Sequence, residues 1–199
     1  MNANQFLKAV QQLQGWRECA FLLSLAERGF PNYALFAEAM ELKTGAKMRQ
    51  ILDAGWNLLK PDAIETAIPQ WLRRLEALSP DVEDYDAYGV YPAFDVCQLL
   101  EQALLNRLNP SKHRATDASK LATGTVMSFI ELSEGEGLEE DELVRLLDSH
   151  PLMKEDKAFQ RNLVLALKRQ RTPIEQFITE IREDAVNEGV SNLGISLAD

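Results

Sequence analysis

The sequence predicts an all-α fold, a single-domain multi-helix bundle of about nine to ten helices spanning residues 1–199, with 189–199 as an extended C-terminal tail. Three observations lead there. Apolar residues recur at three- and four-residue spacing along most of the chain. The period-two alternation of a half-buried strand is nearly absent. Glycine, proline and asparagine fall between the periodic stretches, where helices start and stop. A chain of 199 residues with 46% hydrophobic content can bury one sizeable core.

The spacing predicts a first helix over about Asn4–Gln14, closed by Gly15. A second is expected over Trp16–Arg28. Its residues Cys19, Ala20, Phe21, Leu22, Leu23 and Leu25 cover most of the circumference, which marks a central, buried helix. Gly29 and Pro31 are expected to end it. Asn32 then caps a third helix, Tyr33–Leu42, and Thr44 caps a fourth that runs to Leu59 with Met48, Ile51, Leu52 and Trp56 inward. Pro61 and Asp62 open a fifth segment that Pro69 interrupts, leaving a firm helix at Pro69–Leu78. Residues 79–92 form the longest non-helical stretch. Pro92 fits the first turn of a helix to Leu108, and Asn109-Pro110 ends it. A further helix, Ala115–Ser133, is broken by Gly135 and Gly137. A short acidic helix covers Glu139–Ser149. Pro151 and Pro173 open the last two, and Gly189 ends the final one. In the tail, Leu193, Ile195 and Leu197 alternate, a segment that either docks or frays. No internal repeat of roughly 30 to 50 residues points to a solenoid.

Composition narrows the function classes. No stretch approaches the ~20 consecutive apolar residues of a membrane span, and the N-terminus lacks the basic-then-apolar order of a signal peptide. The expected location is cytoplasmic. The net charge is −10, which argues against nucleic acid as a partner. The acid is local. Between Glu131 and Asp156, ten carboxylates face only Arg145 and Lys154, which leaves most of the excess on one surface. Such a run is ordinarily solvated, with a basic partner as the sharper reading. Cys19 and Cys97 sit in apolar helical patterns and read as core residues.

Several chemistries lack their residues. The only histidines, His113 and His150, lie in a turn and at a helix end, and neither follows a glutamate at the spacing of a carboxylate-bridged metal bundle. There is no Cys-x-x-Cys or His-Glu-x-x-His, no phosphate-binding glycine loop and no nucleophile elbow. No metal site and no cofactor are expected.

What remains is a set of side-chain constellations. Tyr85, Tyr88 and Tyr91 recur every third residue, interleaved with Asp84, Asp86 and Gly89 and followed by Asp95. Tyrosine offers a rigid face with a polar handle. Neighbouring aspartates accept hydrogen bonds from a cationic ligand or ligate a hard metal such as Mg²⁺. The bland reading is a loop pinned by tyrosine packing. The second constellation is the corner Glu27, Arg28, Asn32 and Tyr33. Glu27 falls on the apolar face of Trp16, Ala20 and Leu23, at a helix end where negative charge is disfavoured. It is either a strut paired with a buried arginine or tyrosine, or a pocket acid. A polar stripe of Asp117, Lys120, Gly124, Ser128 and Glu131 reads as solvated.

These segments carry a resemblance. Glu27–Phe36, Ile51-Leu52-Asp53 with Trp56, Asp86–Asp95 with its Tyr-Gly-Val-Tyr-Pro-Ala block, and Glu188–Ile195 are similar to the YjaG-like family of uncharacterised bacterial proteins, a domain of unknown function. The resemblance spans nearly the whole chain and departs mainly around Gly135–Asp156. It implies one all-helical domain and no particular activity.

The functional expectation is a non-enzymatic cytoplasmic binding module. It uses the Tyr85–Asp95 loop, with the Glu27–Tyr33 corner beside it, to hold a small polar ligand or another protein. The rival expectation is an enzyme of unfamiliar type with Glu27 and Asp95 as acid and base, with or without Mg²⁺. A helix-turn-helix reading of the Thr44 helix has only Lys47 and Arg49 to contact phosphates. A homodimer stays open, because apolar helical faces can pair.

Overall fold

The computed structural model describes residues 1–111 and 113–196. Its helices are α1 (Ala3–Gln11), α2 (Trp16–Ala39), α3 (Gly45–Asn57), α4 (Ile68–Glu76), α5 (Val90–Leu108), α6 (Arg114–Glu134), α7 (Glu140–Ser149), α8 (Pro151–Arg169) and α9 (Glu175–Val186). Short 3₁₀ turns at Glu65–Ala67, Val82–Asp84 and Asn187–Gly189 link or extend them. The all-α expectation holds among the described residues, where the single bridge is Val190 to Ser196.

One boundary differs. The expected second and third helices are a single helix, α2, with Pro31 inside it. Pro31 has no N–H for the carbonyl of Glu27, a substitution that costs about 3 kcal/mol in a helix interior. Burial outweighs that penalty. Leu22, Leu25, Ala26, Tyr33, Phe36 and Ala37, on both sides of the proline, are all buried, and full burial of a large apolar side chain is worth ~2 kcal/mol. Asn32 is thus an interior residue of α2 and not a cap. The Arg28 carbonyl, three residues before the proline, accepts the backbone N–H of Asn192 at 3.3 Å, so the tail supplies a donor at the break. Thr44 does stand at the start of α3, but its side chain makes no capping hydrogen bond.

α2 is the axis of the molecule. It packs most intimately on α5, with Phe21, Leu22, Leu25 and Leu99, Leu100, Leu104 in one core cluster. Gly55 lets α3 approach both helices, since a Cβ there would stand 2.6 Å from Leu23 Cδ2 and 3.6 Å from Leu100 Cδ1. Both cysteines are buried free thiols of this core, and burial pushes each up to about 12, so they stay protonated. A smaller cluster of Val126, Ile130, Met153 and Leu193 docks the tail on α6 and α8. Ser191 Oγ accepts the backbone N–H groups of Leu193 and Ile195, and Gly194 takes a left-handed φ of +72°. The tail as described is therefore docked; Leu197 lies outside the described residues.

Side chains close the helix ends. Asn2 and Gln5 form a capping box on α1, and Glu139 and Glu142 form one on α7. His150 Nδ1 accepts the Leu152 N–H at the start of α8. The Arg17 guanidinium covers the α8 C-terminal carbonyls of Leu167 and Gln170 at 2.7–3.1 Å.

Candidate functional site

Glu27 sits at the centre of a bridged network. It is 3% exposed. Arg49 grips both of its oxygens in a fork, with Nη2 donating to Oε2 at 2.7 Å. Trp56 Nε1 donates to the same Oε2 at 2.7 Å, and Arg182 Nε lies 3.5 Å from it. Asp53 joins from outside, accepting from Arg49 Nε at 3.0 Å and from the Arg182 guanidinium. The Arg49 guanidinium also stacks over Phe30 and that of Arg182 over Trp56. One carboxylate on α2 thereby ties down α3 and α9, and no oxygen of it points into a cavity unbound.

The rest of that corner is also tied down, except that Asn32 Oδ1 is buried without a hydrogen-bond partner. Asn32 Nδ2 donates to Asn192 Oδ1 at 2.9 Å, which holds the tail. The Tyr33 hydroxyl donates to the Leu78 carbonyl at 2.8 Å from a fully buried ring. Arg28 donates to the Asp184 carbonyl at 3.3 Å and lies over the Phe159 ring. These are contacts that hold α2 to α9, α8 and the connection after α4.

The tyrosine loop has a different character. Tyr85 is turned inward, edge-on to Phe36. Asp86 is exposed and lines no cavity described here. Tyr88 and Tyr91 instead form one wall of a groove of about 720 Å³, with their ring centroids 6.0 Å apart. Their placement follows from the local chain. The turn Ala87–Val90 delivers the loop directly into α5, so Tyr88 stands inside the turn, Tyr91 on the first helical turn and Asp95 one turn further along. The opposite wall is α6, which presents Asp117, Lys120, Gly124 and Ser128.

Of the carboxylates of this groove, Asp117 is exposed and Asp95 is half-buried. Burial holds its carboxyl above the ordinary aspartate range, against a hydrogen bond from Thr125. That hydroxyl is 2.6 Å from Asp95 Oδ2 and 3.0 Å from the Leu121 carbonyl, so its one proton serves two acceptors. No cation among the described residues pairs with Asp95. Burial also pushes the Tyr88 phenol up, with the charges of Asp95 and Glu131 adding to it. The groove is thus an aromatic and acidic recess with Lys120 exposed at its edge.

The structure brings Tyr88, Tyr91 and Asp95 together and leaves Glu27 elsewhere, in contact with none of the groove residues. It adds Asp117, Lys120, Gly124 and Ser128, which the sequence places on a solvated face, and Thr125, to which the sequence gives no role. The signal was present in the stripe itself, where a glycine and small polar residues share a face with no bulk to fill the space beside it. A second cleft, of about 770 Å³, lies between α3 and α9 and is walled by Trp56, Leu59, Ile178 and Arg182. Of its two cations, Arg182 is already matched by Asp53 and Glu27, and Lys60 is exposed.

Fold and groove define a single-chain helical bundle built on one long central helix, with an open aromatic–acidic recess between two of its helices. The chain belongs to the DUF416 family, described as proteins of unknown function, whose signature matches residues 5–196. An uncharacterized protein of Haemophilus influenzae is 31% identical to it, over 96% of this chain and 97% of that one. The uncharacterized protein YjaG of Escherichia coli K12 is 28% identical, over 94% and 93%. In a crystal structure of a DUF416 family protein from Shewanella baltica the fold is similar at a TM-score of 0.87, with 30% identity and coverage of 96% and 98%.

Proposed function

We propose that this chain is a non-enzymatic, cytoplasmic binding protein whose groove of Tyr88, Tyr91 and Asp95 recognises a small polar ligand. The observation that carries this reading is the convergence of two tyrosine rings and a desolvated carboxylate on one recess. Its volume of about 720 Å³ is in the range of small-molecule sites, which favours a small ligand over a protein partner. The recess offers groups for recognition: ring faces, a carboxylate, the Ser128 hydroxyl and a glycine that leaves room for the ligand. The acid–base reading that pairs Glu27 with Asp95 draws no support from this geometry, because Glu27 is bound by Arg49, Trp56 and Arg182 and is not among the residues that line the groove. A cytoplasmic setting fits two buried free thiols, and no helix among the described residues is long and apolar enough to cross a membrane.

The test is a thermal-shift screen of small polar compounds on the wild type and on Tyr91→Ala. Tyr91 is 54% exposed, so its removal leaves the core intact. The reading expects at least one compound to raise the wild-type melting temperature and to lose that effect in the variant. Compounds that shift both proteins equally, or no shift with any class, would contradict it.

A further inference from the structure

Three carboxylates of this protein, Glu18, Glu27 and Asp156, are buried and Asp95 is half-buried, and they differ in how their charge is met. Glu27 is held by Arg49 and Arg182. Glu18 accepts from Asn106 at 2.7 Å and lies in the field of Arg114. Asp156 accepts from Thr123 and Gln160 at 2.8 and 2.9 Å and lies in the field of Arg28 and Lys157. Asp95 has one hydroxyl, shared with a carbonyl, and no cation. A desolvated carboxylate without a counter-ion is costly, and folds normally pair it. This one faces a recess with room for a partner.

The walls say what kind of partner. Tyrosine ring faces carry negative potential and attract cations, most strongly where water is excluded. Tyr91 presents an exposed ring beside that of Tyr88, and Asp117 and Glu131 add negative charge from α6. Among the residues that line the groove, the base is Lys120, which is exposed. Gly124 has no atom within 4 Å of where a Cβ would be, so the floor opposite the rings is open. A chain with a net charge of −10 also draws cations toward such a recess.

We propose that the Tyr88–Tyr91–Asp95 groove is a site for a small organic cation, a substituted ammonium group that packs its alkyl substituents on the tyrosine rings and supplies the charge that Asp95 lacks. This rests on the groove being a ligand site at all, and the experiment separates the two claims. Choline and its neutral isostere 3,3-dimethylbutan-1-ol are titrated into ¹⁵N-labelled protein at matched ionic strength, and amide shifts are followed. Wild type, Tyr91→Ala and Asp95→Asn are compared; the asparagine keeps the Thr125 hydrogen bond and the side-chain shape.

The expected result is saturable choline shifts centred on Tyr88, Tyr91, Asp95 and Gly124. The neutral isostere binds at least about fivefold more weakly, ~1 kcal/mol by the affinity relation, and each variant loses a similar factor. Choline affinity also falls on acidification, because Asp95 must be ionised. Groove shifts with both compounds at equal affinity, undiminished in Asp95→Asn, would overturn the cation assignment and leave a ligand groove standing. No groove shifts with either compound, and no other class of compound binding there in the thermal screen, would overturn both.

Discussion

At the scale of single residues, the buried carboxylates Glu27 and Asp156 illustrate opposite fates of a charge taken out of water. Glu27 is surrounded by donors, and its value lies in what would be left behind without it. Glu27→Ala strands the Trp56 indole N–H and the Arg49 fork in a site built for an anion. Breaking one partner of such a network costs about 3 kcal/mol, and urea unfolding should show a loss of that order. A loss under ~1 kcal/mol would mean that the network is ornamental. Asp156 is a case of the other kind, since burial raises its carboxyl above the ordinary range despite hydrogen bonds from Thr123 and Gln160. A carboxyl whose folded value lies above its unfolded value binds its proton more tightly in the native state. Its ionised form therefore weakens the fold at neutral pH, and that penalty fades as pH falls through the folded value toward the unfolded one. Asp156→Asn, which still offers an oxygen to both donors, should be more stable than the wild type at pH 7. The advantage should shrink toward pH 4, as chemical unfolding at the two pH values would reveal. A constant difference would place its origin in packing.

At the scale of elements, the seating of α3 on the central pair α2 and α5 depends on close approach at Gly55. Gly55→Ala drives a methyl group into Leu23, and such overpacking costs about 1–3 kcal/mol. The variant should unfold at correspondingly lower denaturant with an unchanged slope; a neutral result would mean that Leu23 moves aside freely. This scale is also where the sequence was most and least legible. Helix positions followed from apolar periodicity because each helix buries a continuous stripe, and Trp16–Leu25 announced its central place by being apolar all round. The Gly29–Pro31 boundary was misread because local propensity weighs a proline against one lost hydrogen bond, whereas the fold weighs it against the burial of Tyr33, Phe36 and Ala37 beyond it. The docking of the tail was invisible for a related reason. Its anchors are Asn192 on Asn32 and Arg28, and Leu193 against Val126 and Ile130, contacts that join residues more than 60 positions apart. For the candidate site, Tyr88, Tyr91 and Asp95 were legible as a local cluster, but the α6 wall was not. Asp117, Lys120, Gly124 and Ser128 look like any solvated stripe until α6 is laid against α5.

At the scale of the whole molecule, the fold compensates most of its buried charge internally and concentrates its net negative charge on the surface around α7. Against that background the groove is an exception, with a desolvated carboxylate, two tyrosine rings and no counter-ion. Cation binding in the groove therefore turns on the ionisation of one side chain, which can be measured directly. A ¹³C NMR pH titration of the Asp95 carboxyl, in the absence and presence of choline, reads it without mutation. The expected result is a midpoint above the ordinary aspartate value of about 3.9 in the free protein and a downward shift when the cation binds. A midpoint at or below the ordinary value, unmoved by choline, would contradict it.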